Sequence, residues 1–194
     1  MPKKPHESSH GDVVPQLKDL LEVARTTWEI SVTKRMVAQA ARLNVKTVND
    51  LFDQKTTLYD LQTLWKLCWF FQCGIGDLLL WIPPEKSPYS VQLSRGVQVG
   101  PITLPRKHPP EKRFIRNVIP ARLEGTKRGE VAAKSDLAEN TVAALLNQTD
   151  PPTRIARATL AALCHYLSQR EGYAVPVGEL LVYEDPATAQ EDRP

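Results

Sequence analysis

Residues 46–56 read KTVNDLFDQKT, and they hold the side chains best suited to recognition chemistry in this chain. Helical spacing points Val48 and Leu51 inward, which turns Val45, Lys46, Asn49 and Asp50 outward. The Lys46 ammonium can donate to a guanine edge or to a phosphate, and the Asn49 carboxamide has the donor–acceptor pair that matches adenine. Thr33, Lys34 and Arg35 open the preceding helical pattern, where free backbone N–H groups and the helix dipole favour an anion. Lys55 follows close behind. A merely solvated helix face would use the same residue types, so spacing alone leaves both readings open.

Other chemistries find little support. His6 and His10 lie near the amino terminus, His108 in a proline-rich stretch and His165 in a helical pattern, and no carboxylate pair or nucleophile–base spacing stands out. The chain is therefore expected not to be an enzyme. Cys68-x4-Cys73 and Cys164-His165 could suggest a metal, but Cys68 and Cys164 fall at the same place of an internal repeat, on an apolar face. Small buried cysteines explain both, so no metal, cofactor or small-molecule ligand is expected. Three cysteines do not make a disulfide framework, which favours a reducing, cytoplasmic setting. No amino-terminal stretch pairs basic residues with an apolar run, so no signal peptide is expected. The longest apolar run, LLLWI (78–82), is too short to span a bilayer.

The elements that must carry these residues occur twice. NTVAALLNQTD (140–150) echoes KTVNDLFDQKT. TKRMVAQAARLNVKTV (33–48) parallels TKRGEVAAKSDLAENTV (126–142), TLWKLC (63–68) parallels TLAALC (159–164), and GDLLLW (76–81) parallels GELLVY (178–183). Four blocks recurring in order argue for one unit used twice and diverged. Each copy reads as five helices. In the first copy Val13, Leu17, Leu20, Leu21, Ala24 and Trp28 give helix one, Thr33 caps helix two, Asn44 caps helix three, Leu61 to Phe71 form helix four, and Leu78 to Leu80 sit in helix five. In the second copy helix one can start only near Ile119, because of Pro120. The expected layout is a disordered tail (1–12), a first domain (13–84), a basic proline-rich linker with a short hairpin near 90–99 (85–114), a second domain (115–183) and a second tail (184–194). Charge follows this plan: +1 over residues 1–84, +5 over 85–116 and −3 over 117–194.

Two short helices joined by a tight turn, the second exposing polar residues, resemble the lambda-repressor-like (Xre/Cro-type) helix-turn-helix family. The resemblance rests on TKRMVAQAARLNVKTVNDLFDQK and the following DLQTLWKLCWFFQCGIGDLL, and more weakly on residues 115–183. It implies an all-α protein of two tandem five-helix domains, with Val37-Ala38 packed on Thr47-Val48 and Val131-Ala132 on Thr141-Val142. It also implies a double-stranded DNA partner, a transcriptional regulator of prokaryotic, phage or plasmid type acting as a repressor, and paired domains within one chain or in a homodimer. The alternative is a protein-binding adaptor or antitoxin-like factor that kept the fold and lost base readout.

The implied DNA contacts are Thr33, Lys34, Arg35, Asn44, Lys46, Thr47, Asn49 and Lys55 in the first copy, and Thr126, Lys127, Arg128 and Asn140 in the second. Arg106 and Lys107 lead a basic linker run, which is either a phosphate-tracking arm or a tether. Two departures from the family stand out. Its usual turn glycine is replaced by Arg42 and Asp136, and the outward face of the second recognition helix holds Glu139, Asn140, Ala143 and Ala144. The second copy therefore binds DNA weakly or serves as a dimerisation or scaffold unit. Finally, helical spacing turns Trp65, Trp69 and Phe70 outward from helix four, which marks an interface.

Overall fold

The computed structural model describes residues 9–84, 115–149 and 151–183. The first half runs β1 (Asp12–Pro15), α1 (Leu17–Trp28), α2 (Lys34–Ala40), α3 (Val45–Phe52), β2 (Leu58–Asp60), α4 (Leu61–Phe71), α5 (Ile75–Leu78) and β3 (Leu79–Ile82). The second runs β4 (Ile115–Asn117), α6 (Ile119–Arg122), α7 (Arg128–Ser135), α8 (Glu139–Leu146), β5 (Arg154–Ala156), α9 (Arg157–Glu171), a 3₁₀ turn (Val177–Glu179) and β6 (Leu181–Tyr183).

This is a mixed structure, which overturns the all-α expectation of two tandem five-helix domains. Helices hold 56% and strands 14% of the described residues, and the strands make three two-stranded antiparallel sheets. Val13, expected to open helix one, lies in β1 opposite Trp81 of β3, and Leu79 and Leu80 pair with Pro15 and Val14 rather than extending a helix. Leu181 likewise pairs with Asn117. The reason is local. Asp12-Val13-Val14-Pro15 sets two β-branched residues ahead of a proline, which suits a short edge strand better than a helix interior. Residues 9–12, expected in the tail, form a turn and the start of β1. At Gly11 φ is +78°, and a Cβ would stand 2.2 Å from the Ile82 carbonyl oxygen, so only glycine fits this entry. The expected linker and hairpin, and residues 184–194, lie outside the described residues.

The helices form where periodicity and caps agree. α1 buries Leu17, Leu20, Leu21, Ala24 and Trp28 as one stripe. α4 starts from Asp60, whose carboxylate accepts from the Thr63 backbone N–H at 2.8 Å. It is apolar nearly all round and packs on α2, α5 and β2, and on β4 of the second half. That encirclement corrects the outward tryptophan face: Trp65, Trp69 and Phe70 are 1%, 7% and 0% exposed. Phe70 stacks edge-on with Trp28 and Phe71 at centroid distances of 5.7 and 4.9 Å. Its counterpart α9 is the longest helix among the described residues and buries Leu160, Ala161, Leu163, Cys164, Tyr166 and Leu167.

The halves share one hydrophobic core. β2 pairs antiparallel with β5, with Tyr59 opposite Ile155. β1 lies against α9. There the Arg157 guanidinium binds the Asp12 carboxylate and donates to the Gln54 carbonyl at 3.1 Å. The Tyr59 hydroxyl donates to the Val13 carbonyl at 2.8 Å. Burial pushes the Tyr59 phenol well above its ordinary pKa, so it remains a donor.

Candidate nucleic-acid interface

α2 and α3 form the two-helix unit. Val37 and Ala38 of α2 and Val48 and Leu51 of α3 are buried. The turn between them closes through Arg42 at φ +50°, with Leu43 N–H donating to Ala38 O at 2.8 Å. Lys66 of α4 donates to the Arg42 carbonyl at 3.2 Å, tying the strained residue down. A left-handed non-glycine residue costs roughly 1 kcal/mol, and the paired carbonyls around it offset that. Asp136 takes the same place in the second half, at φ +54°.

Capping sets where the polar residues stand. The Thr33 hydroxyl accepts from Met36 N–H at 3.2 Å, and the Asn44 side chain accepts from Lys46 N–H at 2.8 Å. Both oxygens are thus used within the fold, and these two residues position α2 and α3. Arg35, Val45 and Lys46 are exposed, and Lys34, Thr47 and Asn49 are half-buried. The Lys46 side chain is 83% exposed and bonds Asp50 at 2.8 Å. That hydrogen bond holds its pKa above the ordinary lysine value. Lys34 and Lys55 converge on Asp53, at 3.6 and 3.0 Å, and Lys34 also sits 4.7 Å above the Phe52 ring. Lys55 first, then Lys34, hold the Asp53 carboxyl below its usual range. So the structure joins Lys34, Lys55 and the end of α3 in one cluster, beside Lys46 and Asn49.

Asp50 and Asp53 were missed in this role. The i,i+4 spacing of Lys46 and Asp50 was legible, whereas the Lys34–Asp53 contact needed the tertiary arrangement. Exposed ion pairs of this kind contribute only about 0–1 kcal/mol. A phosphate can therefore replace either aspartate at little cost, and the pairs hold the lysines extended meanwhile.

The second half is built alike and furnished differently. Lys127 and Arg128 are exposed at the start of α7, and Thr126 is half-buried and accepts from Arg170 at 3.2 Å. α8 begins after Ala138 with no side-chain cap. Its outward positions are Glu139, Asn140, Ala143 and Ala144, with Asn140 exposed. Arg122 is bound to Glu171 at 3.2 Å, to Tyr173 at 2.8 Å and to Glu179, so this cation is held inside the half. Arg106 and Lys107 lie outside the described residues, as do Arg95, Lys112 and Arg113; Arg116 is exposed on β4.

Two helices packed through Val37, Ala38, Val48 and Leu51, with a donor-rich second helix, are what a major groove admits. Residues 29–84 match the Cro/C1-type HTH DNA-binding domain. The match spans α2 to β3 and supports a DNA-binding regulator of the helix-turn-helix type, a family that is typically non-enzymatic. No curated protein and no solved structure matches the chain. Among the described residues no group of three metal-ligating side chains occurs, and no helix is long and apolar enough to cross a membrane. Cys68, Cys73 and Cys164 are buried free thiols, and burial pushes Cys68 and Cys164 well above the ordinary thiol pKa.

Proposed function

We propose that the chain is a sequence-specific, cytoplasmic repressor of transcription that binds double-stranded DNA through α2 and α3 of its Cro/C1-type domain. Lys46 and Asn49 read base edges. Lys34, Arg35 and Lys55 hold phosphates beside them, with Thr33, Asn44 and Thr47 setting the helices. The observation that carries this reading is the Lys46–Asn49 face of a capped α3, with Lys46 exposed and Asn49 half-buried, beside the cluster that Lys34 and Lys55 form at Asp53.

The second half is proposed to be a diverged copy of the same unit. There Lys127 and Arg128 hold phosphate, and Asn140 is the one side chain left to reach a base. Arg106 and Lys107 are proposed to track phosphate between the halves. Neutralising Arg106, Lys107, Arg113 and Arg116 should then weaken binding to all sequences alike and flatten the log–log salt slope. The adaptor reading keeps one argument, the Glu139-Ala143-Ala144 face of α8; it loses the tryptophans, which are buried.

The experiment is selection of bound duplexes from a random pool, followed by anisotropy titration of the enriched and a scrambled sequence. An enriched motif bound at least tenfold more tightly than the scramble is expected. Equal affinity for both would reduce the activity to unspecific binding, and no binding would favour the adaptor.

A further inference from the structure

The contacts between the halves have the signature of a two-fold axis. In an isologous contact, what one partner gives the other returns. Leu61, the first residue of α4, donates its N–H to Thr153 O at 3.0 Å; Arg157, the first residue of α9, donates its N–H to Thr57 O at 2.8 Å. These reciprocal bonds frame the β2–β5 ladder, in which Tyr59 faces Ile155. Further along the junction α5 packs on the 3₁₀ turn, glycine against glycine. A Cβ on Gly178 would stand 3.0 Å from Gly76 N and 3.1 Å from Gly76 Cα, a backbone approach that no larger residue allows without a shift. Gly76 and Gly178 are each the second residue of their element.

We infer that this chain is a dimer folded within one polypeptide, and that a single copy engages one non-palindromic DNA site. The inference rests on the DNA reading above. Its first leg is the occupied junction: the self-complementary surface that would take a second copy of the first half is filled by β5, α9 and the 3₁₀ turn. Its second leg is the unlikeness of the two reading heads. α3 and α8 both lead into the same ladder, through residues 53–57 and 147–153, and so flank it. Where α3 presents Val45, Lys46, Asn49 and Asp50, α8 presents Glu139, Asn140, Ala143 and Ala144. A palindrome needs two identical heads, because half-site symmetry mirrors protein symmetry. Here one side of the site is specified by base contacts and the other is held chiefly by phosphates.

The test uses the full chain and a random duplex pool. Sedimentation of the free protein and of its complex with the enriched duplex should give one 21.8 kDa chain in each, and the melting temperature should not change on serial dilution. The enriched motif should contain one specified block and no inverted repeat. Gly178→Val should lower the melting temperature equally at every protein concentration. A two-chain complex, a palindromic motif or a concentration-dependent melting temperature would overturn the inference and leave the DNA reading standing. Failure to enrich any duplex would overturn the DNA reading, and this inference with it.

Discussion

Val48 and Leu51 of α3 face the core just as Val142 and Leu145 of α8 do, whereas Lys46, Asn49 and Asp50 stand where α8 has Asn140, Ala143 and Ala144. One helix on, the difference reaches into the core itself. Cys68 and Cys164 are both fully buried, while Trp65 and Trp69 stand where α9 has Ala161 and His165. Apolar positions that close the two-helix unit are the same in both halves; polar positions that a groove would read are not. The fold's requirements and the ligand's requirements are thus written on different faces of the same helices, and one face can change without the other.

The comparison can be broken hardest at α4. Trp65→Ala removes a large side chain that is 1% exposed, and should cost about 3–5 kcal/mol in denaturant unfolding. His165→Ala, at the half-buried counterpart of Trp69, should cost well under half as much. Similar losses would mean that the two helices bear equal loads. Next comes the reading face. Lys46→Ala with Asn49→Ala should cost roughly 1–3 kcal/mol per lost base contact on an enriched duplex, and Asn140→Ala should cost less. Titration of both variants decides it, and equal losses would erase the asymmetry.

A smaller effect is expected at the caps. Asn44→Ala should destabilise by about 1 kcal/mol, since the Asn44 side chain satisfies Lys46 N–H. Ala138 already has the extended geometry of a cap residue, φ −63° and ψ 139°. Ala138→Asn should therefore gain about 0.5–1 kcal/mol in thermal or chemical unfolding. No gain would show that α8 obtains its first-turn partners elsewhere.

The smallest effect is with pH. Burial first, then the neighbouring His10 ring at 5.4 Å, lower the His165 pKa below its ordinary 6.5. Trp81 and Gln169 also face it, and the Asp12–Arg157 pair lies on the same packed elements. A depressed histidine favours the neutral form in the folded state. Its contribution is therefore fully present above the ordinary value of 6.5 and is lost below it, as pH falls through the lowered folded-state pKa. Melting temperatures of the wild type and His165→Gln should converge on acidification; parallel curves would remove His165 from the pH response.

What could be read from the sequence was local. Thr33, Asn44 and the start near Ile119 were legible, because a cap or a proline acts within one turn. The turn at Arg42 and Asp136 was implied by the family resemblance, whose usual glycine they replace, and both residues are left-handed. The strands were not: each spans three or four residues, too few for a period of two to emerge, and each finds its partner far along the chain. The tryptophan face failed for a related reason. Periodicity assigns a helix one buried stripe, but α4 is packed by both halves and leaves only Gln62, Thr63 and Lys66 partly exposed. Lys34 and Lys55 were recognised as cations, and their common tie to Asp53 needed the fold.

The pairing of Asp12 with Arg157 joins residues 145 apart in the chain, and β2–β5 closes a loop of nearly a hundred. Loop closure must come before such contacts give anything back, and chains rich in them fold slowly. On the ribosome, β1 and β2 emerge long before α9 and β5 exist to cover them. Until synthesis is nearly complete, the Tyr59 strand waits with unmatched backbone groups, and β1, already paired with β3, lacks its α9 cover, a state open to chaperones and proteases. Synthesis stopped before residue 157 would leave that state permanent, so the quality of the first half is decided by the arrival of the second.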